Sequence, residues 1–371
     1  MSSSHGYQVP VARRLLAARP VRTGAGVLGI GLALMLMLLL NGLWTGVQGQ
    51  VTVYDDHLGA DLVVVPPGTD SLFADPGILP LVAVDQVERV PGVTATSTIR
   101  AMYLILELPD GKAAVAAVAA EPGGAGGPWA FAQGRAPASA EEVVLDAQLA
   151  DEHGLGVGDR LDMFGHSMKV VGLTEGTAMF MTPLLFVTND AMTGMLGAGD
   201  TTGAILVTTT SPELVAQRLR DQGLTVRTPV QLRAASLAAA TQIYGSPVRL
   251  MVAVAFAAGT LITALVVYTS ITEQQRDLGV LKALGATPGR IRRVAVAETA
   301  ALTVAGALAA VLLLVLAREL LAWWRPAFPV ALTPATVGRT AVAAAAMAAL
   351  AAWLPARRVN RLDAATAFRS R

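Results

Sequence analysis

The chain of 371 residues is too apolar and too weakly charged for an ordinary soluble protein. Hydrophobic residues make up 53% of it and charged residues 15%, whereas soluble domains carry roughly 25% charged residues. This composition excludes an ordinary soluble enzyme and a disordered chain, and the net charge of +1 argues against a nucleic-acid binder. Without cysteine, the chain has no disulfide framework, thiolate metal site or cysteine nucleophile.

Charge is divided unevenly along the chain. Residues 47–245 carry 10 Lys and Arg against 22 Asp and Glu, a net charge of −12, while the remainder carries a net charge of +13. The basic remainder also holds all the long apolar runs. This division predicts a membrane protein with one large acidic domain outside the bilayer.

Four segments are long and apolar enough to cross a bilayer, which takes about 20 residues. Arginines precede the first segment, as they do in a secretory signal peptide. Its apolar core is too long for one and no A-x-A cleavage pattern follows, so we expect a retained anchor. The predicted transmembrane helices are residues 24–46, 246–271, 294–321 and 334–354.

Basic residues near the spans set the expected orientation. Lys and Arg are concentrated in residues 1–23, 272–293 and 355–371, and such residues favour the cytoplasmic side. Both termini are therefore expected in the cytoplasm, with the 47–245 domain and the short 322–333 loop outside. The expected fold is an α-helical protein of the plasma (inner) membrane, with four transmembrane helices and a mixed α/β extracytoplasmic domain inserted between the first and second.

The 47–245 segment contains the short apolar runs and turn residues of a mixed α/β domain. Ser211 and Pro212 open a predicted helix that ends near Asp221. Leu232–Tyr244 is a further predicted helix that continues into the second span as a stalk, and Glu121–Gly127 is a glycine-rich loop. The predicted strands are 61–65, 103–108, 113–119, 142–145, 160–164, 167–173, 184–188 and 203–208, with a short helix at 147–153.

No catalytic constellation is visible. Asp151, Glu152 and His153 are consecutive on a short predicted helix, so their side chains diverge. No nucleophile elbow, H-E-x-x-H helix or G-x-x-x-x-G-K-[ST] phosphate loop occurs. We therefore expect a non-catalytic subunit that binds no metal or other cofactor itself; any ATP would be bound by another chain.

The connection between the second and third spans is the most informative stretch. Leu278, Leu281 and Leu284 recur every three residues along a helical pattern that ends at Gly285, where a left-handed terminal residue is easily adopted. The spacing alone fits two structures equally well. One is an interfacial helix resting on lipid, and the other is a docking helix for a cytoplasmic partner.

This stretch, E-Q-Q-R-D-L-G-V-L-K-A-L-G at residues 273–285, resembles the coupling-helix signature of FtsX-like, MacB-type (type VII) ABC transporter permeases. The tail at residues 354–369 is similar to the closing motif of the same family. It has Ala364 where proline is usual and Phe368 where leucine is usual. Segments of the 47–245 domain resemble the extracytoplasmic domain of the family more loosely.

The resemblance implies a dimer of permeases completed by two cytoplasmic ATPase subunits, which bind ATP and Mg. Closure of the ATPases would push the coupling helix, tilt the spans and move the outer domains, an arrangement called mechanotransmission. The implied substrate is an exported or extracted amphipathic or lipid-like molecule, and an extracytoplasmic partner is also expected. The residues that would contact the ATPase are Glu273, Arg276, Asp277, Leu278, Gly279, Leu281, Lys282 and Gly285.

Two other functions remain open. Some relatives are signalling subunits that activate a cell-wall hydrolase, and others export haem. Met35 and Met37 in the first span could supply soft ligands to haem, although methionines in a Leu-rich helix usually pack against apolar neighbours.

A few polar and small residues of the spans are candidate dimer or substrate contacts. Asn41 and Arg339 are expected near the outer ends of the first and fourth spans, where polar side chains can reach water. Gly42 and Gly46 form a small-xxx-small pair suited to close helix packing. Four earlier glycines suit close packing in the same way: Gly24, Gly26, Gly29 and Gly31.

Overall fold

The computed structural model divides the chain into two compact units. Residues 47–244 form one unit, here called the inserted domain, and the remainder forms the other, here called the helical unit. The residues that the structure describes are 20–108, 111–273, 288–324 and 330–359.

Strands and short helices alternate in the inserted domain, and long helices build the described part of the helical unit. In chain order the elements are α1 (Pro20–Val51), a 3₁₀ turn (Asp55–His57), β1 (Leu62–Val65), β2 (Leu79–Pro80), α2 (Val82–Glu88), β3 (Val93–Leu108), β4 (Gly111–Ala120), β5 (Phe131–Gly134), β6 (Glu142–Asp146), α3 (Ala147–Glu152), β7 (Arg160–Met163), β8 (His166–Thr174), β9 (Leu184–Thr188), α4 (Asn189–Leu196), β10 (Thr201–Thr202), β11 (Ala204–Thr209), α5 (Pro212–Asp221), β12 (Thr225–Arg227), α6 (Pro229–Ala240), a π turn (Thr241–Gly245), α7 (Ser246–Glu273), α8 (Pro288–Trp324) and α9 (Pro334–Val359).

Within the described residues, four helices are long and apolar enough to cross a membrane, which confirms the predicted helical class. They are α1, α7 together with the preceding α6, α8 and α9. At 1.5 Å per residue, the 28 residues of α7 extend about 42 Å, more than the roughly 30 Å of a hydrocarbon core.

Glycines of α1 let it pack closely against α7. A Cβ atom built on Gly26 would lie 2.8 Å from Val266, and one on Gly29 would lie 2.9 Å from Ile262. As residue numbers rise along α1 they fall along α7, so the two helices run antiparallel. Gly24, by contrast, has nothing within 4 Å of such a Cβ atom.

The contact between α1 and α8 is equally close. A Cβ atom on Gly306 would lie 2.6 Å from Ile30, and one on Gly31 would lie 3.2 Å from the Gly306 carbonyl oxygen. These small residues therefore face helices of their own chain. The buried core of the helical unit consists of Ile30, Leu34, Met37, Leu38, Ala255, Val267, Leu302, Ala310, Leu314, Ala344 and Met347.

The described residues of the inserted domain form a ten-stranded mixed sheet, which confirms the predicted α/β class. The strand order is β12-β1-β11-β3-β4-β9-β6-β8-β5, and β7 pairs with β8. The pairs β4–β9 and β6–β8 are parallel, while the other pairs of this sheet are antiparallel. Separately, β2 and β10 form a two-stranded pair.

Both faces of the sheet are covered by apolar packing. In β1, Val63 and Val65 belong to one buried cluster, and Leu62 and Val64 belong to another on the opposite face. Successive strand residues point to opposite faces, so an uninterrupted apolar run marks a strand buried on both sides. Each such side chain contributes about 1.5–3 kcal/mol when fully buried.

The structure departs from the sequence prediction in several elements. Strand β3 begins at Val93, ten residues before the predicted start, and helices α2 and α4 were not predicted. Pro212 is the first residue of α5 as predicted, but the Ser211 side chain forms no capping hydrogen bond.

Gly306→Leu is expected to loosen the helical unit because no space exists for a side chain between α8 and α1. Overpacking of this kind costs about 1–3 kcal/mol. The matched control is Gly338→Leu in α9, where nothing lies within 4 Å of an added Cβ atom. The measurement is the thermal aggregation temperature of each variant in detergent. Equal temperatures for the two variants would contradict the observed packing.

Candidate functional site

The predicted ATPase-coupling segment is described only at its first residue. Glu273 is the last residue of α7. The contact of this segment with an ATPase stays a prediction. The coupling residues that lie outside the described residues are Arg276, Asp277, Leu278, Gly279, Leu281, Lys282 and Gly285.

Two of the predicted contact residues near the C-terminal end of α1 pack within the chain. The Asn41 amide nitrogen donates to the Met37 carbonyl oxygen at 2.9 Å, one helical turn earlier. The Gly42 carbonyl oxygen accepts a hydrogen bond from the Ala331 backbone at 3.1 Å. A Cβ atom on Gly42 would lie 3.1 Å from Val330. The segment that precedes α9 therefore packs directly against Gly42.

A threonine pair extends this contact. The hydroxyl oxygens of Thr45 and Thr336 lie 3.2 Å apart, so the C-terminal part of α1 and the start of α9 lie at the same end of the helical unit. Gly46 is buried, whereas Arg339, in the second turn of α9, is exposed. A dimer or substrate contact at Asn41, Gly42, Gly46 or Arg339 stays a prediction.

A group of polar contacts joins the end of α1 to α6 inside the inserted domain. The 3₁₀ turn that follows α1 packs against α6. Asp56 accepts a hydrogen bond from the Thr52 hydroxyl at 3.1 Å, and its other carboxylate oxygen lies 3.1 Å from Nε of Arg233. Both members of this ion pair are roughly half exposed, so it contributes at most about 1 kcal/mol.

The adjacent carboxylate, Asp55, is buried. The Ser236 hydroxyl on α6 hydrogen-bonds it, and the Ser236 and Ser71 hydroxyl oxygens lie 3.3 Å apart. Burial raises the pKa of Asp55 to about 6, against the lowering effect of the Ser236 hydrogen bond. Asp56 raises that pKa and Arg233 lowers it, each more weakly. We call this group the helix joint, and its residues are Thr52, Asp55, Asp56, Ser71, Arg233 and Ser236.

Apolar and aromatic packing surrounds the helix joint. Tyr54 and Leu232 are buried in the same cluster, so each half of the joint also contributes a side chain to the domain core. The Tyr54 hydroxyl donates to the Gly126 carbonyl oxygen at 2.9 Å. Gly126 has a φ of +79°, and a Cβ atom there would lie 2.7 Å from Ile99. The glycine-rich loop thus closes over Tyr54, which explains its composition.

The acidic and histidine side chains that the structure describes near the helix joint do not gather into a cluster. Among the described residues, no three His, Asp or Glu side chains converge as a metal site would require. His57, beside the joint, instead stacks on Trp129 with ring centroids 4.4 Å apart and planes nearly parallel. In the helix joint, hydrogen bonds and an ion pair hold two chain segments together.

The helix joint was not predicted from the sequence. Asp55 and Ser236 are separated by most of the inserted domain, and no periodic pattern links them. One local signal was available, because two consecutive acidic residues directly follow the first apolar segment. Their partners could not be identified without the fold.

A four-helix membrane unit that carries an α/β domain between its first two helices defines the class of protein, and family models agree with it. The MacB-like periplasmic core domain matches residues 24–222, and the FtsX-like permease C-terminal domain matches residues 249–364. The first match alone covers more than half of the chain. The chain therefore belongs to the FtsX-like, MacB-type family of ABC transporter permeases.

Individual relatives are named ABC transporter permeases. An ABC transporter permease of Mycobacterium tuberculosis H37Rv is 27% identical over 349 residues, covering 92% of this chain and 94% of that protein. One from Mycobacterium bovis is 26% identical over 270 residues, covering 72% and 74%. Among solved structures, the periplasmic region of MacB from Actinobacillus actinomycetemcomitans is 11% identical with a TM-score of 0.37, covering 48% of this chain and 92% of that one.

Asp55→Asn is expected to remove a pH-dependent loss of folding stability. Because the folded pKa of about 6 exceeds the ordinary value of 3.8, the unfolded carboxyl loses its proton first. Stability therefore falls as pH rises from about 4 to 6 and stays about 3 kcal/mol lower above that range. The measurement is the thermal midpoint of the detergent-solubilised chain at pH 5 and pH 7.5.

The wild-type midpoint should be higher at pH 5, and Asp55→Asn should flatten the difference. Asp75→Asn, at an exposed carboxylate of the same domain, is the control and should keep the wild-type pattern. An unchanged pH dependence in Asp55→Asn would show that this carboxyl does not titrate as its burial requires.

Proposed function

We propose that this permease relays motion from a cytoplasmic ATPase to its inserted domain, and that it thereby exports or extracts an amphipathic or lipid-like molecule. Family membership supplies the coarser part of this function, because an ABC transporter permease works with an ATPase partner. In the proposed complex, two copies of the chain assemble with two ATPase subunits, and the coupling residues between Glu273 and Gly285 contact them.

The arrangement of helix ends supports this proposal. Helices α1 and α7 run antiparallel, and the start of α9 lies beside the C-terminal part of α1. The chain leaves α1 for the inserted domain at one end of the helical unit. Residues 274–287 link α7 to α8 at the opposite end. An ATPase bound to that link would be placed on the cytoplasmic side, with both termini.

The observation that carries the proposal is the helix joint. It bonds the segment that follows α1 to α6, and α6 continues through the π turn into α7 without a break in helix. A tilt of either membrane helix is thereby coupled to the other and to the domain core. The directional contacts are the Asp55–Ser236 hydrogen bond and the Asp56–Arg233 ion pair.

The methionines proposed for haem binding have a packing role in the structure. Met37 is buried in the core of the helical unit, and Met35 packs against that core. This packing accounts for both methionines without a haem site. Stimulation of ATP hydrolysis by a candidate substrate, in the reconstituted complex, separates transport from signalling through a cell-wall hydrolase.

Leu281→Asp is expected to abolish association with the ATPase, because it places a charge on the apolar stripe of the coupling segment. Membrane insertion should be unaffected. The measurement is copurification of the ATPase with the affinity-tagged permease. Leu214→Asp, at a half-exposed leucine of α5, is the matched control. Normal copurification with Leu281→Asp would contradict the docking role.

Arg233→Asp is expected to weaken coupling by placing a third carboxylate in the helix joint. Reversal of an exposed pair costs about 1 kcal/mol, or about a fivefold change in an equilibrium. The measurement is the ATP hydrolysis rate of the reconstituted complex, which should fall. The swap of Asp56→Arg with Arg233→Asp restores the attraction and should recover most of the rate. Failure of the swap to recover any activity would assign Arg233 a different role.

A further inference from the structure

An exposed apolar surface of the inserted domain lies next to the point where the chain passes into α7. We call it the aromatic patch, and its residues are Tyr103, Ile105, Phe180, Met181, Ile243 and Tyr244. Five of these side chains have large exposed fractions: 64% for Met181, 63% for Ile105 and Ile243, 52% for Tyr103 and 41% for Tyr244.

Specific contacts hold the aromatic patch together. The rings of Phe180 and Tyr244 meet edge to face with centroids 5.5 Å apart. Burial raises the pKa of the Tyr103 hydroxyl, and electrostatic interaction with Tyr244 raises it further, so the two phenols are neighbours. Tyr103 and Ile105 point to the same face of β3, because alternate residues of a strand share a face. The patch is thus one surface assembled from three separate segments.

Met181 is presented in an unfavourable backbone conformation. Its φ of +56° lies in the left-handed region, which non-glycine residues rarely adopt. A tight turn enforces it, since the Thr182 backbone nitrogen donates to the Met179 carbonyl oxygen at 3.1 Å. Met181 is also 64% exposed in this conformation, although burial of its apolar side chain would be favourable. Retained strain of this kind is typical of functional surfaces.

Chain connectivity favours a lipid surface as the occupant of the patch. Tyr244 lies six residues before Leu250, from which α7 exposes a continuous apolar surface. Six helical residues span about 9 Å, which is comparable to the thickness of the interfacial layer on one side of a bilayer, about 5–8 Å. Ile243 and Tyr244 are therefore expected near lipid headgroups, and the residues in contact with Tyr244 lie within one side-chain length of them.

The chemistry of the patch fits the same occupant. Its six residues carry no charge, although the surrounding domain has a net charge of −12. Tyrosine combines an apolar ring with a polar hydroxyl and is enriched where membrane meets water. We propose that the aromatic patch rests on the interfacial layer of the outer leaflet and anchors the inserted domain to the lipid surface. This inference does not depend on ATPase coupling.

The test uses the full-length chain, which has no native cysteine. Met181→Cys and Ile105→Cys are labelled separately with the fluorophore NBD. Each protein is reconstituted in nanodiscs of phosphatidylcholine and phosphatidylglycerol, with and without lipids that carry a nitroxide at the headgroup or upper acyl chain. Ile78→Cys is the matched control, because Ile78 is an apolar residue of the same domain with a 71% exposed fraction.

Nitroxide lipids are expected to quench the labels at positions 181 and 105 about twofold or more beyond the label at position 78. Equal quenching at all three positions would overturn the proposal. Oxidation of the unlabelled Met181→Cys protein provides a second measurement. Formation of disulfide-linked dimers without lipid quenching would assign the patch to a second copy of the chain and would equally overturn the proposal.

Discussion

The contact between the Ser236 hydroxyl and the buried carboxylate of Asp55 joins the two segments through which the inserted domain is connected to the membrane. Asp55 follows α1, and Ser236 lies on α6, which leads into α7. The domain core depends on the same meeting point, because Tyr54 and Leu232 lie next to these polar residues and are buried together. Separation of the two segments would expose that core, so the polar contact and the apolar packing reinforce each other.

A buried carboxylate stabilises a fold less than apolar side chains at the same position would. An apolar pair of similar volume would avoid the desolvation cost that raises the pKa of Asp55. A hydrogen bond, however, has a preferred direction and distance, whereas apolar packing tolerates sliding. Under the relay of helix motion proposed above, a contact that fixes the segment after α1 against α6 has a role beyond stability.

The sequence predicts those parts of the fold that local pattern determines. The four membrane helices follow from apolar runs, and β1 and β9 follow from runs of Val, Leu and Phe that are buried on both faces. The first half of β3 was missed because it is rich in threonine and partly exposed, and it becomes a strand by pairing with β11 and β4. Strand β4 is rich in alanine, which disfavours strands, and its prediction rests on the turn that precedes it. The helix joint and the aromatic patch bring together residues that are distant in the chain, so no local sequence pattern predicts them.

The pairing of β12 with β1 bears on how this domain could pass from one protein to another during evolution. The strand that enters the sheet and the strand that leaves it are hydrogen-bonded neighbours, with Val64 opposite Val226. A folded module whose two ends lie side by side can be added to a host chain, or removed from it, without stretching the segments that flank it. The domain thus has the geometry of a cassette, which recombination could exchange between permeases while the helices of each host kept their own spacing.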